Sequence, residues 1–336
     1  TCGFALAAWW LGRRLLVDAG SRQPPARRPA AAAASTGVDE VDPEPDPDPE
    51  PDPDPPLLRQ GGAAMVVSLS ARVGPLTDSL LIGGLMGPAA AASWFFTTRL
   101  AVLTQGQLLM VGNASWAALA GLHARREHEA LEARLVELSE LIVVLGMAAW
   151  AAIVVGGEEF VVWWAGREVW AGFWVLGLTV LAAVIQALLS LWSWCFTGAG
   201  RPDQVARPAL VQAVLALGLG LVFLHLGAGM LGPVLGSLAA MLGVGAWALP
   251  WLLRRWFGVR PRGLFTAVAR PWLWGLLYSV GCWCFRGWWF TADGSPWWEF
   301  LPLMVAAALG FLALAAVVVF TPERRADWMR RLSWRR

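Results

Sequence analysis

Between Gly61 and Phe320 the chain returns repeatedly to long apolar stretches with few charges. A run of about 20 apolar residues crosses the hydrocarbon of a bilayer as a helix. Within lipid the backbone finds no water, so such a segment must satisfy its own hydrogen bonds. One soluble core of this chain could not bury eight such stretches. The expected fold is therefore an all-α membrane protein, a polytopic helical bundle of about eight complete transmembrane helices plus one partial. The predicted spans are Gly61–Leu85, Pro88–Leu122, Leu135–Gly157, Val169–Gly198, Pro208–Leu226, Leu231–Leu253, Leu264–Arg286 and Phe300–Phe320. Composition agrees: 15% of the residues are charged, where a soluble domain carries about 25%.

The charges that do occur are segregated. Nine of the 24 acidic residues fall between Asp39 and Asp54, and all 26 basic residues are Arg. Arg-only usage with abundant Ala, Gly and Trp points to a GC-rich bacterial genome. The chain begins with Thr and is apolar from Phe4 to Leu11, without a charged leader and cleavage site. Residues 1–19 are expected to be the tail of a transmembrane helix whose front is missing, which makes the sequence a fragment. Residues 20–56 include DPEPDPDPEPDPDPP. Proline lacks an amide donor and restricts its neighbour, so this segment reads as a disordered, extended linker.

Arginine in the short loops sets the orientation. Arg125, Arg126, Arg134, Arg201, Arg207, Arg254, Arg255, Arg260, Arg262 and Arg270 fall on one side, together with the arginines of the 321–336 tail. The alternate loops hold only Arg167 and Arg286. The first set is expected in the cytoplasm of a bacterial cell, with linker and C-terminus on that side of the inner membrane. Within EHEALEARLVELSEL, Leu131, Leu135, Leu138 and Leu141 share a helical face, which predicts an amphipathic entry into the third span. Trp163, Trp164, Trp288, Trp289, Trp297 and Trp298 sit near span ends, as in an interfacial aromatic belt. Trp116, Trp192 and Trp194 lie further in, where indole faces could line a sugar path.

Charges inside the spans are the informative residues. Arg72 and Asp78 lie in the first span and Arg99 in the second. Each costs about 2.5–3.5 kcal/mol at a helix centre on insertion scales, so such residues pair or face a polar cavity. Arg72 and Arg99 each lie 11 residues from the turn at Gly83 to Pro88, roughly 16 Å deep at 1.5 Å per residue. Asp78 and Arg99 are a candidate pair. Gln105, Asn113 and Gln186 continue the polar lining, with Gln212 in the fifth span. The candidate substrate-binding set is thus Arg72, Asp78, Arg99, Gln105, Asn113 and Gln186. A free guanidinium among them could meet a pyrophosphate.

No catalytic motif is present. There is no phosphate loop with Lys, no HExxH and no nucleophile motif. Cys2, Cys195, Cys282 and Cys284 lack metal-site spacing. The outer loops are short for a ligase or polymerase acting on glycans. No enzyme, cofactor, metal or nucleic-acid partner is expected.

The first two spans, LLRQGGAAMVVSLSARVGPLTDSLLIGGLMGPAAAASWFFTTRLAVL, resemble the start of the second lobe in polysaccharide flippases of the multidrug/oligosaccharidyl-lipid/polysaccharide exporter superfamily. The matching elements are Thr77-Asp78, Leu80-Leu81-Ile82-Gly83, Met86-Gly87-Pro88 and Arg99. GGEEFVVWWAGRE looks like the family's external segment after the third helix of this lobe, and FTGAGRPDQVARPALVQAVLALGLGLVF like its cytoplasmic Gly-Arg-Pro turn. LHLGAGMLGPVLGSLAAML is similar to its external Gly-rich turn. Trp94 stands where Tyr is common, and Ser79 where a basic residue is common.

The resemblance implies fourteen helices in the whole protein, in two six-helix lobes plus two. Residues 57–253 would be the six-helix C-terminal lobe and 254–320 two additional helices. The missing N-terminal lobe would be a partner, with membrane lipids and a lipid-linked oligosaccharide substrate. The implied activity is flipping polysaccharide precursors across the inner membrane. A lipid II flippase, a drug/cation antiporter and a membrane glycosyltransferase or ligase are the alternatives.

Overall fold

The structure, a computed structural model, describes residues 57–286 and 296–319, and within them the side chains of 61–70 and from 78 onward. The leading segment, the acidic linker, Trp288, Trp289 and the basic tail lie outside the described residues. All regular structure described is helical. The elements are α1 (Leu57–Met86), α2 (Pro88–Ala124), α3 (His128–Ala165), α4 (Phe173–Gly198), α5 (Asp203–Phe223), α6 (Leu231–Ala240), α7 (Ala246–Phe257), α8 (Pro261–Arg286) and α9 (Trp297–Val318).

Local chemistry explains the breaks. Gly87 between α1 and α2 has φ 94°, open to glycine at little steric cost, and Pro88 supplies the first helical residue. The expected fourth span begins later than Val169, because Arg167–Val169 form a 3₁₀ turn and Gly172 has φ 107°. A π turn over Leu224–Ala228 ends α5, and another over Met241–Gly245 joins α6 to α7 as one rod. The Leu131, Leu135, Leu138 and Leu141 face is buried, and the amphipathic segment is continuous with α3.

Among the described residues, five helical segments are long and apolar enough to cross a membrane: His128–Ala165, Phe173–Gly198, Asp203–Ala228, Leu231–Phe257 and Trp297–Val318. The architecture is consistent with a helical membrane protein. The expected count of eight also needs α1, α2 and α8. These have 30, 37 and 26 residues, and at 1.5 Å per residue each exceeds the roughly 30 Å hydrocarbon thickness. They are more polar than the five: α2 carries Arg99, Gln105, Gln107 and Asn113, and α8 carries Arg262, Arg270 and Arg286.

α3 is the central element, with 83% of its apolar window buried against 6% for that of α5. It packs against α2, α4, α8 and α9. A second group runs from α1 to α5 to α6, and α6 returns to α4. α2 also packs along α4, which joins the two groups. Close approach needs small residues. At Gly275 an added Cβ would come within 2.6 Å of the Met147 side chain, so α8 lies directly on α3 there.

The arginine-rich turns gather at one end of the bundle. Arg201 lies 4.3 Å from the Trp256 ring centroid, and the His123 and Phe257 rings are 4.8 Å apart. The Arg260 backbone N–H donates to Glu132 at 3.3 Å. At the opposite end, Thr97 Oγ1 donates to the Val169 carbonyl and accepts from the Ala171 N–H, which ties α2 to the α3–α4 connection.

Candidate functional site

A cavity of about 260 Å³ lies where α1, α2, α4, α5 and α6 meet. Helical spacing builds its walls. From α2, Trp94, Thr98, Ala101 and Gln105 face it on successive turns, with Phe95 and Arg99 beside them. From α4 come Thr179, Ala183 and Gln186 at the same spacing. Gln212 enters from α5, Ser237 from α6, and Ser70 and Asp78 from α1. Among the described residues the lining therefore holds one acidic side chain, one basic side chain, three carboxamides and several hydroxyls.

Some of these groups already have partners. The Thr98 hydroxyl donates to the Trp94 carbonyl at 2.8 Å, and Thr179 donates to Val175 at 2.6 Å. Each hydroxyl oxygen can still accept a bond from a ligand. The expected Asp78–Arg99 ion pair does not form, although both residues line the cavity and belong to the described residues. Arg99 is exposed and lies 5.8 Å from the Phe95 ring centroid, one helical turn back on its own helix. That contact holds the guanidinium along α2.

Of the candidate residues, the cavity brings together Asp78, Arg99, Gln105 and Gln186. Asn113 is exposed and does not line it. It lies eight residues after Gln105, a rotation of about 80° and a rise of about 12 Å. Arg72 lies within α1, and its side chain falls outside the described residues. The inner tryptophans do not line the cavity either. Trp192 is buried and donates from Nε1 to Ser139 at 2.9 Å. Trp194 packs over Gly112, and Trp116 is exposed.

Trp94 and Gln212 line the cavity and stand outside the candidate set drawn from sequence. Trp94 is 5% exposed and walls the cavity, but near a span end an indole reads first as an interfacial anchor. Gln212 stood out only as one polar residue in an apolar helix. Its spacing from Ala216, one turn on, was the available signal.

No protein-family model, curated protein or solved structure matches this chain.

Proposed function

We propose that the chain is the C-terminal lobe of a two-lobe exporter that flips lipid-linked oligosaccharide precursors across a bacterial inner membrane. In this reading eight helices cross the bilayer, with α1 to α7 as the lobe and α8 and α9 as two additions. The Arg-rich turns face the cytoplasm. The N-terminal lobe of the complete protein closes the passage, and rocking of the lobes alternates access.

The supporting observation is the cavity that brings Asp78, Arg99, Gln105, Gln186 and Gln212 together amid apolar helices. Ionisable residues inside a membrane segment mark substrate or ion paths. At about 260 Å³ the cavity is below the roughly 300–1,000 Å³ of ordinary ligand pockets. It suits one part of a ligand, a diphosphate or a single sugar ring, and the other lobe must supply the rest. Arg99 offers charge-assisted bonds to a diphosphate. The carboxamides both donate to and accept from sugar hydroxyls.

Arg99→Gln in the complete protein tests the assignment. Surface polysaccharide is expected to disappear while the amount of protein in the membrane stays unchanged. Normal surface polysaccharide rejects the role. Complementation of strains lacking a lipid II flippase or a drug antiporter separates the other members of the superfamily.

A further inference from the structure

In the exporter reading Arg99 meets a diphosphate and the carboxamides meet sugar hydroxyls, which leaves Asp78 without a task. Asp78 lines the cavity from α1 and is half-buried. It makes no hydrogen bond or ion pair among the described residues, and neither of its oxygens is sealed from the surface. On α3, by contrast, Arg134 donates to Glu137 at 2.7 Å, and Arg286 donates to Glu158 and Glu159 at 2.8 Å. A carboxylate among apolar helices is costly unless a donor or a cation answers it. The cavity around it is equally unpartnered. Gln105 from α2, Gln186 from α4 and Gln212 from α5 line it without a hydrogen bond among the described residues.

The other walls narrow the occupant. The buried Trp94 sets its side chain against the space, with Phe95, Val234 and Met241 as further apolar walls. An inorganic cation such as calcium needs oxygen ligands converging at about 2.3–2.6 Å. The polar groups here are instead spread over α1, α2, α4 and α5 around about 260 Å³. A sugar ring suits such walls better. It has an apolar face for an aromatic side chain and hydroxyls for three carboxamides. Arg99 lines the cavity yet is exposed, so it stands at the rim, where a phosphate attached to the ring meets it.

We propose that the cavity takes a sugar bearing a free amine, with its ammonium on Asp78 and its phosphate on Arg99. The substrate class is then a lipid-linked oligosaccharide that contains an unacetylated amino sugar, an assignment that rests on the exporter reading and deepens it. Charge complementarity selects this occupant. An N-acetylated ring brings an amide N–H to Asp78 but no counter-charge. A ring with hydroxyls alone brings neither the charge nor the stronger, charge-assisted bond.

The test is isothermal titration calorimetry of the full chain in detergent at pH 7, with glucosamine 1-phosphate and N-acetylglucosamine 1-phosphate. The amine form is expected to bind about tenfold more tightly. Asp78→Asn removes this preference, whereas Arg99→Gln weakens both sugars and keeps it. Gel filtration confirms that each variant remains folded. If Asp78→Asn does not, the parent decides at about pH 9.5, where an amine that ionises near 8, like an α-amino group, is neutral and the preference must vanish. Equal affinities, binding of neither sugar, or a preference that persists in folded Asp78→Asn or at the higher pH overturns the proposal. Equal affinities that Arg99→Gln lowers together reject the amine and leave the exporter reading standing. That reading falls separately, on normal surface polysaccharide from Arg99→Gln in the complete protein.

Discussion

His123 sits in the last turn of α2, just beyond the apolar stretch, and touches two other elements. Its ring lies 4.8 Å from that of Phe257 on α7 and 6.5 Å from that of His128 on α3. Its Nδ1 is buried without a partner among the described residues. Burial first, and then the nearby positive charge of His128 and Arg201, hold its pKa below the ordinary 6.5. The fold therefore favours neutral His123, and the unfolded chain takes up a proton first as pH falls. This contribution to stability is complete above about 6.5 and is lost as pH falls through the depressed folded value. Thermal unfolding in detergent from pH 7.5 to pH 5 checks it. The midpoint of the parent is expected to fall relative to that of His123→Gln over this range. Parallel curves would remove His123 from the account. Arg201 has a further partner of its own and also lies over the Trp256 ring, so this junction holds several elements through few residues.

At the scale of elements, α5 and α6 meet backbone to backbone. Gly232 and Gly236 stand four residues apart on α6, toward Ala216 and Gly220 of α5 and Leu224 of the π turn that follows it. A Cβ at Gly236 would lie 2.6 Å from the Gly220 Cα and 2.8 Å from the Ala216 carbonyl oxygen. These are backbone atoms and cannot rotate aside. Small residues four apart allow such contact between membrane helices. Gly236→Val is expected to cost at least the roughly 1–3 kcal/mol of an overpacked core, read as a lowered thermal midpoint. Gly218→Val on α5, where a Cβ meets nothing within 4 Å, should lie close to the parent. Equal midpoints for the two variants would mean that the helices do not meet as described. Much of this level was legible in sequence, because an apolar run of bilayer length leaves a helix as the economical answer. The places where helices begin were less so. Gly172 and the π turns at Leu224–Ala228 and Met241–Gly245 break or distort runs whose hydropathy does not change there.

The whole molecule joins two patterns that sequence revealed unequally. Gln105 and Gln186 were legible as cavity residues because a carboxamide in an apolar span needs a polar neighbour. The absent Asp78–Arg99 pair was not, since two residues can face one cavity without meeting, and helix depth fixes height but not side-chain direction. Loop counting put Arg201 and Arg260 at one end of the bundle, and the described contacts agree, while the arginines of the tail lie outside the described residues. Those contacts join Arg201, Trp256, His123, Phe257, Arg260 and Glu132. Arg125 and Arg167 lie just beyond opposite ends of α3, a helix of 38 residues and so about 57 Å long. If α3 crosses the membrane, those positions face different compartments, and the arginine excess puts Arg125 inside. Single cysteines at 125, 167 and 207 in the complete protein, with the native cysteines removed, make this measurable with a membrane-impermeant maleimide. Position 167 is expected to label in spheroplasts, whereas 125 and 207 label only once the membrane is opened. Labelling of 125 and 167 from the same side would mean that α3 does not cross. The reverse pattern would keep the crossing and invert the orientation. A third result, with 207 outside and 125 inside, would leave α3 in place but remove α4 as a crossing, and with it the even count of spans on which the exporter reading depends.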